Sequence, residues 1–442
     1  MPVAALHQPA LLPDEIVRPT SDLASGVQVP APDAAPPLSA ATAPACDILL
    51  GDTNLTRQFG LLGRAGNKTV ALDLDGTNTI SIFGVQGGGK SYTVGSVVEM
   101  ATQSFPGTNV LPSPLASVIF HYHASQDYPP EFVSMIAPNS QGDEVRTLQQ
   151  EYGASPGRLE DVLILTSADK VADRQVEFPS LRVEPILFSS GELSLKDWQF
   201  LMGVFGDQMY IKQVTLIMRR LRRKLTLQGL REEIEASDLS DNQKALVNTR
   251  LDFVEPFIAD NHRLADVLRP GRLVIIDLRD ELITKAEALG LFVVMLNIFA
   301  NAGRDQNFNK LIVFDEAHKY MDDVELAGYI VGVVRQMRHQ GVSILIASQD
   351  PPSLPNGIIE LSSLVILHRF NSPKWLKHVQ QSVTALSDLQ PEQLANLRPG
   401  EAYVWSAKAT DNNFMRHAVK LRFRPRVTQH GGETRTAVNL RA

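Results

Sequence analysis

Short, continuous runs of apolar residues alternate with amphipathic stretches over most of the chain. A continuous run of aliphatic and β-branched residues is typical of a strand buried on both faces, as in a parallel sheet. The stretches between the runs repeat their apolar positions every three to four residues, which predicts helices that cover the sheet. The pattern therefore predicts an α/β fold with a mostly parallel sheet. The predicted strands lie at 79–83, 116–123, 162–165, 273–277, 311–314, 342–347, 364–367 and 402–405.

The strand pattern is interrupted between about 192 and 262, where only helical periodicity remains. The densest basic run of the chain, residues 219–224, lies on one of these predicted helices. Such a run predicts either a surface that contacts phosphates or a solvated face balanced by the acidic stretch 232–235. Charge runs usually lie in water, which favours the second interpretation. The apolar stripe of this helix consists of Ile211, Val214, Met218, Leu221 and Leu225.

Both ends of the chain differ from this core. Residues 1–46 are rich in alanine and proline, and proline blocks helix interiors and sheet ladders, so we expect a disordered arm. An arm that docks a partner protein is the alternative. Residues 47–75 contain short β segments, too few for a separate barrel, and residues 426–442 have the composition of a polar tail. The main domain is therefore predicted at 76–425.

The charge and cysteine content exclude several classes of protein. A formal net charge of −7 excludes a wholly basic surface, although a ring with a basic pore can be acidic outside. Cys46, the only cysteine, excludes an intramolecular disulfide and a cysteine-ligated zinc site, which favours a reducing compartment. No leader segment is visible, and the longest apolar run, at 291–296, is too short to cross a bilayer. We therefore expect a cytoplasmic protein without membrane contact.

A glycine-rich segment separates the predicted strand at 79–83 from a predicted helix. Residues 84–91 read GVQGGGKS and match the pattern G-x-x-x-x-G-K-[ST]. In this pattern backbone amides cradle phosphates, the lysine reaches the β- and γ-phosphates, and the hydroxyl binds Mg²⁺. A glycine-rich turn with a chance lysine is the alternative, but the strand and helix on either side favour a phosphate loop that binds ATP. The predicted nucleotide-binding residues are Gly84, Gln86, Gly87, Gly88, Gly89, Lys90, Ser91 and Tyr92.

Polar residues follow two later strands. Asp315 comes directly after the strand at 311–314, the position of an aspartate that helps to hold Mg²⁺ together with Ser91. Glu316 is placed to orient and polarise a water molecule against the γ-phosphate. Gln349 ends the strand at 342–347, and ligands of such sheets bind at the carboxyl ends of strands. We therefore predict that Gln349 contacts the γ-phosphate and the attacking water.

Three arginines are candidates for completing the site of a neighbouring subunit. Arg335 and Arg338 share one helix face, and Arg369 follows the strand at 364–367. An arginine of this kind neutralises charge that develops on the γ-phosphoryl oxygens, and Arg338 is our first candidate. Surface ion pairs are the alternative.

His121 and His123 lie on one face of a strand, where they could form a metal pair. Two histidines without a third ligand favour ordinary strand residues instead.

With these motifs the chain resembles the HerA branch of the HerA/FtsK superfamily of P-loop ATPases. The resemblance covers about 76–425 and implies a RecA-like core with an inserted helical bundle, assembled as a hexameric ring with DNA in its centre. Members of the family move duplex DNA, some of them beside a nuclease, and several work in prokaryotic DNA repair or phage defence. The resemblance rests on the loop at 84–91 and on the segments 315–318, 335–341, 346–352 and 397–402.

The chain departs from this family in two places. The N-terminal β-barrel usual in HerA proteins is missing or reduced to a remnant before residue 75. Residues 121–123 read HYH on a strand where the family tends to carry an acidic residue.

Two interpretations of function follow. The first is an ATP-hydrolysing ring motor that translocates or remodels DNA, with its own copies, DNA and an effector or nuclease as partners. The alternative is an ATP-dependent oligomeric scaffold that recruits effector proteins through its N-terminal arm, with DNA incidental. A motor for another polymer is a third and weaker interpretation, because no membrane segment supports it.

Overall fold

The computed structural model of this protein describes residues 44–203, 209–302, 308–319, 321, 324–337 and 340–432. The predicted arm at 1–46 lies outside the described residues except for its last three positions, and so does the end of the predicted tail from residue 433.

A single sheet organises the described part of the chain. Its fourteen strands lie in the order β1-β3-β2-β14-β13-β12-β4-β11-β10-β6-β9-β7-β8, and β5 pairs with β2. The strands are β1 (Ile48–Leu50), β2 (Phe59–Ala65), β3 (Lys68–Asp73), β4 (Thr79–Phe83), β5 (Asn109–Val110), β6 (Ala116–His123), β7 (Val162–Thr166), β8 (Arg182–Pro185), β9 (Leu273–Arg279), β10 (Lys310–Phe314), β11 (Val342–Ser348), β12 (Leu364–Leu367), β13 (Glu401–Ser406) and β14 (Val419–Phe423).

The strands from β12 to β8 in this order pair in parallel throughout. Apart from β8 at the edge, these strands are buried on both faces, as their continuous apolar runs predict. Alternate residues of one strand enter different core clusters, so Phe120 packs with one cluster and Ile119 with the other. The predicted α/β class with a mostly parallel sheet is therefore confirmed.

Helices cover both faces of the sheet. Val94, Val97 and Val98 of α1 pack in one core cluster, whereas Phe292 and Met295 of α8 pack in the other. No helix of the described residues is both long enough and apolar enough to cross a membrane. The helices are α1 (Lys90–Thr102), α2 (Gly142–Tyr152), α3 (Val171–Glu177), α4 (Leu195–Leu201), α5 (Met209–Leu221), α6 (Leu227–Glu235), α7 (Asp241–Val254), α8 (Lys285–Asn301), α9 (Val324–Met337), α10 (Asn356–Glu360), α11 (Pro373–Ser382), α12 (Pro391–Ala395) and α13 (Asn412–Arg416).

Helices α4 to α7 lie between β8 and β9 in the chain, within the stretch where the strand pattern stops. Ile211, Val214 and Met218 of the predicted stripe are buried, and the stripe packs α5 into the same core cluster as α8. The amphipathic face of α5 thus anchors the helical segment to the rest of the chain, and its basic residues remain outside.

The short N-terminal strands extend the main sheet. Strand β2 pairs with β14, with Arg64 opposite Arg422, and β3 and β1 follow outward. The β segments predicted at 47–75 therefore belong to the same sheet as the core, which a local sequence pattern could not indicate because the pairing joins residues far apart in the chain.

The residues on either side of position 426, where the polar tail was predicted to begin, are buried, contrary to expectation. Arg424, Arg426 and Thr428 are fully buried against α1, where Glu99 is also fully buried. Arg424 donates to Glu99 Oε1 at 2.6 Å, and the amide and hydroxyl of Thr428 donate to Oε2 at 3.0 and 2.7 Å. A buried carboxylate needs such partners, and α1 supplies one. The segment is polar in sequence but buried in the fold, because its charged groups pair with a residue more than 300 positions away.

Replacing Glu99 with glutamine should lower the free energy of unfolding by about 3 kcal/mol, because Arg424 would remain buried without its counter-charge. Denaturant unfolding of the full chain measures this change. The matched control is Glu160→Gln, which removes a carboxylate from an exposed pair with Arg158 and should leave the stability unchanged within error. Equal effects of the two substitutions would contradict this account.

Candidate functional site

Four neighbouring parallel strands end at the same edge of the sheet, three of them with predicted site residues and one with a histidine. In sheet order, β12, β4, β11 and β10 are followed by His368, Gly84, Gln349 and Asp315. The register aligns these ends, since Leu367 and Ser348 both lie opposite Phe83 and Phe314 lies opposite Ile346. Strand β11 lies between the phosphate loop and the acidic pair, so Gln349 emerges between the two.

The loop at 84–89 has the backbone that its glycines predict. Gly87 and Gly89 adopt φ angles of 73° and 99°, in the left-handed region that favours glycine. Gly89 is the N-cap of α1 and provides no side-chain cap, which leaves the first amides of the helix facing outward. An uncapped N-terminus of a helix of this length is suited to bind phosphate.

Lys90 joins the loop to the acidic pair. Its ammonium group donates a hydrogen bond to Glu316 Oε1 and lies 4.0 Å from Asp315 Oδ1, while its side chain is only 3% exposed. Burial would lower the pKa of Lys90, but the charges of Asp315 and Glu316 outweigh burial and raise it. Two distant segments of the sequence thus meet at one buried ion pair, as predicted.

Glu316 is held from three sides. Gln349 Nε2 lies 2.9 Å from both carboxylate oxygens, and His318 Nε2 lies 3.4 Å from Oε2. The backbone of Glu316 has a φ of 49°, which is strained for a residue with a side chain and costs roughly 1–3 kcal/mol. Burial opposes ionisation, but Lys90 and Gln349 lower the pKa of Glu316. These contacts therefore favour the ionised carboxylate and fix its orientation.

The pKa of Asp315 shifts in the opposite direction to that of Glu316. Burial raises its pKa to about 7, because the attraction of Lys90 only partly offsets burial and the repulsion of Glu316. The Ser91 hydroxyl has no hydrogen-bond partner among the described residues. A carboxylate and a hydroxyl are hard oxygen ligands suited to Mg²⁺.

His368 packs against the first glycine of the loop. This residue was not identified from the sequence. Its Nε2 lies 3.0 Å from Thr93 Oγ1 of α1, and its Nδ1 lies 3.1 Å from the Glu401 carbonyl oxygen. A Cβ atom on Gly84 would lie 2.7 Å from the Cβ of His368, so the contact requires glycine. Its position directly after the strand at 364–367 was the signal that could have indicated it.

Glu131 is a second residue that the sequence did not indicate. It follows β6 in the chain, and its charge acts on both Lys90 and Asp315. Its Oε1 lies 2.8 Å from His430 Nδ1 and 3.6 Å from Arg426 Nη1. The buried C-terminal segment is thereby connected to the charged centre of the site.

The Tyr92 side chain does not face the loop. Its hydroxyl donates to Glu144 Oε2 at 2.7 Å and accepts from the Arg426 amide at 2.7 Å. The prediction that Tyr92 binds nucleotide therefore depends on its backbone and not on its side chain. The side chain turns away because Glu144 and the C-terminal segment satisfy its hydroxyl in a largely buried place.

The remaining candidates are only partly described. Gln86 is exposed at the tip of the loop, and Arg335 is exposed on α9 without an ion pair to the described residues. Arg338 lies outside the described residues. The Arg369 carbonyl accepts from the Val85 amide at 3.1 Å, so its backbone contacts the loop while its side chain is exposed.

The two histidines of β6 contact backbone groups. His121 Nε2 lies 3.0 Å from the Tyr128 carbonyl oxygen, and His123 Nδ1 lies 3.2 Å from that of Ser125. Within the described ranges, no group of three or more potential metal ligands is present. The geometry agrees with ordinary strand residues.

Comparison with known proteins identifies the fold. The structure of VirB4 from Thermoanaerobacter pseudethanolicus matches with a TM-score of 0.54 at 12% identity, over 84% of this chain and 98% of that one. The chain has the fold of VirB4. The fold that the motif resemblance implied is thereby confirmed.

Other similarities are weaker. The plasmid coupling protein TrwB, in complex with a GTP analogue, matches with a TM-score of 0.48 at 13% identity, over 80% of this chain and 87% of that one. A "Probable helicase MJ1565" from Methanocaldococcus jannaschii is 29% identical over 110 residues, or 24% of this chain. The match spans only 21% of that relative's length. No family model matches the chain.

The buried histidine beneath the loop predicts a pH effect. Burial lowers the pKa of His368 from its ordinary 6.5 to about 4. Above pH 6.5 the residue is neutral in the folded and unfolded chains; between 6.5 and 4 only the unfolded chain takes up the proton, so stability falls as the pH falls.

His368→Gln should therefore lose less stability than wild type between pH 7.5 and 4.5, by at most roughly 3 kcal/mol. Urea unfolding at both pH values measures the difference, and His417→Gln, which changes an exposed histidine, is the control. A wild-type pH dependence in His368→Gln would show that this residue is not the source.

Proposed function

We propose that this protein is an ATP-driven motor that moves DNA as a ring of identical subunits. One observation carries the ATPase part of the proposal: Lys90, Asp315, Glu316 and Gln349 converge beside a phosphate loop with an uncapped helix N-terminus. This arrangement provides a cradle for a triphosphate together with an oriented carboxylate.

The lysine would change partner when ATP binds. Loop amides and the α1 N-terminus bind the phosphates, and the negative γ-phosphate competes with Glu316 for Lys90. When the Lys90 ammonium group moves to the phosphate, Glu316 loses this contact but keeps the one with Gln349. Its carboxylate can then accept a proton from water. Gln349, which contacts Glu316 at 2.9 Å, would then respond to both the water and the γ-phosphate.

The same site suits Mg²⁺, with Ser91 and Asp315 as its protein ligands. A carboxylate whose pKa is raised by burial and a neighbouring negative charge is stabilised when a cation arrives. When bound, the ion supplies charge neutralisation on the phosphate oxygens. Asp315 would then stay ionised and oriented by its place at the end of β10.

The DNA and ring parts of the proposal rest on the motif resemblance, and the match to VirB4 supports only the fold. In such a ring an arginine from the next subunit would approach the γ-phosphate. Arg338 remains our first candidate and Arg335, exposed near the end of α9, our second.

Glu316→Gln should reduce ATP turnover by about 10²–10⁴-fold while ATP still binds, because the amide cannot accept the proton but keeps the size of the side chain. Phosphate release and equilibrium binding of a fluorescent ATP analogue measure the two properties separately. Glu160→Gln serves as the surface control. Normal hydrolysis in Glu316→Gln would remove this residue from its role.

The motor proposal requires that duplex DNA stimulates ATP turnover. The rate should rise with DNA in the wild-type chain and stay at background in Lys90→Ala, which lacks the phosphate-binding ammonium group. Mass measurement with ATP and DNA should show a closed oligomer. If DNA leaves turnover unchanged while ATP still assembles the chain, the motor proposal fails and the scaffold interpretation replaces it.

A further inference from the structure

A groove of about 710 Å³ lies on the helical segment, away from the phosphate loop. Its walls come from the turn before α4, with Ser190 and Ser194, and from the end of α5, with Met218, Arg219 and Arg222. Apolar side chains form much of its lining, and Arg219 and Arg222 bring charge to it.

The groove carries positive charge that the surrounding protein does not neutralise. Arg219 and Arg222 are exposed, and neither forms an ion pair with the described residues. Nearby carboxylates are engaged elsewhere. Glu192 accepts from the amides of Leu264 and Ala265 at 2.9 and 3.0 Å, and Asp260 accepts from the Ser190 amide at 2.7 Å.

Two further features of the groove are typical of a binding site rather than of a solvated surface. The Ser190 side chain is 5% exposed, and its hydroxyl has no hydrogen-bond partner among the described residues. Arg222 has a φ of 47°, and within the described residues Glu316 is the one other non-glycine residue with a positive φ. Strained backbone of this kind is concentrated at functional sites.

We infer that this groove binds the phosphodiester backbone of a nucleic acid, with Arg219 and Arg222 each contacting a phosphate. Guanidinium groups bind phosphate oxygens through paired hydrogen bonds, and backbone contacts of this kind do not depend on base sequence. The inference rests on the proposed function, since DNA is the substrate of that motor. It places one DNA contact on the helical segment in a chain whose net charge is −7.

Arg220, in the last turn of α5, provides a matched control. Arg220 is exposed beside Arg219 but does not line the groove, and it lies 3.6 Å from Glu233. Arg219 and Arg220 both lie in the last turn of α5, where a positive charge favours the helix. Arg220→Gln therefore reports the loss of a helix-end charge without loss of a groove contact.

The test compares Arg219→Gln/Arg222→Gln, Ser190→Ala and Arg220→Gln in the full chain. Fluorescence anisotropy with labelled duplex DNA over a range of salt gives the slope of log affinity against log salt. Loss of two phosphate contacts should reduce the magnitude of that slope by about 1.8. Ser190→Ala should weaken binding without changing the slope, and Arg220→Gln should match wild type. ATP turnover without DNA should be the same in all four proteins.

Equal slopes in wild type and the double variant, or an equal loss in Arg220→Gln, would overturn the groove assignment. If wild type shows DNA-stimulated turnover in the same experiment, the proposed function survives that result. If wild type neither binds DNA nor responds to it, the proposed function fails first. Inorganic pyrophosphate, titrated into Lys90→Ala, tests a small ligand. If Arg219→Gln/Arg222→Gln abolishes pyrophosphate binding but leaves the DNA affinity unchanged, the groove binds a small anion and not DNA. This result would also overturn the assignment.

Discussion

The ion pair between Lys90 and Glu316, with Asp315 beside it, is the constraint on which the rest of the site depends. Three charged groups are placed together where water is largely excluded. The two carboxylates raise the pKa of Lys90, and Lys90 lowers the pKa of both carboxylates. Burying charges is costly unless they are paired, so the loop and the end of β10 must stay in register. Burial leaves Asp315 with a raised pKa, whereas Lys90 and Gln349 leave Glu316 with a lowered one, so the two neighbouring carboxylates differ in their tendency to ionise.

The order of the strands explains how this pairing is possible. Residues 84–91 and 315–316 are more than 200 positions apart, yet β4 and β10 are separated in the sheet by β11 alone. Because all three strands run in parallel, their polar termini meet at one edge. The intervening strand brings Gln349 to within 2.9 Å of Glu316. His368 completes the row from β12 and fixes the loop by packing against Gly84.

The sequence predicted those features that depend on local pattern. The strand ends placed Asp315, Glu316 and Gln349 correctly, because apolar runs with polar ends mark the carboxyl edge of a parallel sheet. It could not predict contacts between distant charged residues. Tyr92, Glu99 and the segment 424–428 look like ordinary helix and tail residues until folding brings them together. Glu131 gives no local signal, since its role depends on a charge effect across space.

The central claim is that a triphosphate binds at the loop by taking Lys90 from Glu316. A structure of the full chain determined with a non-hydrolysable ATP analogue and Mg²⁺ tests this claim most directly. We expect the phosphates on the amides of residues 84–91, with the Lys90 ammonium group on the γ-phosphate and its contact with Glu316 broken. An analogue bound elsewhere, or bound at the loop with the Lys90–Glu316 pair intact, would contradict the account.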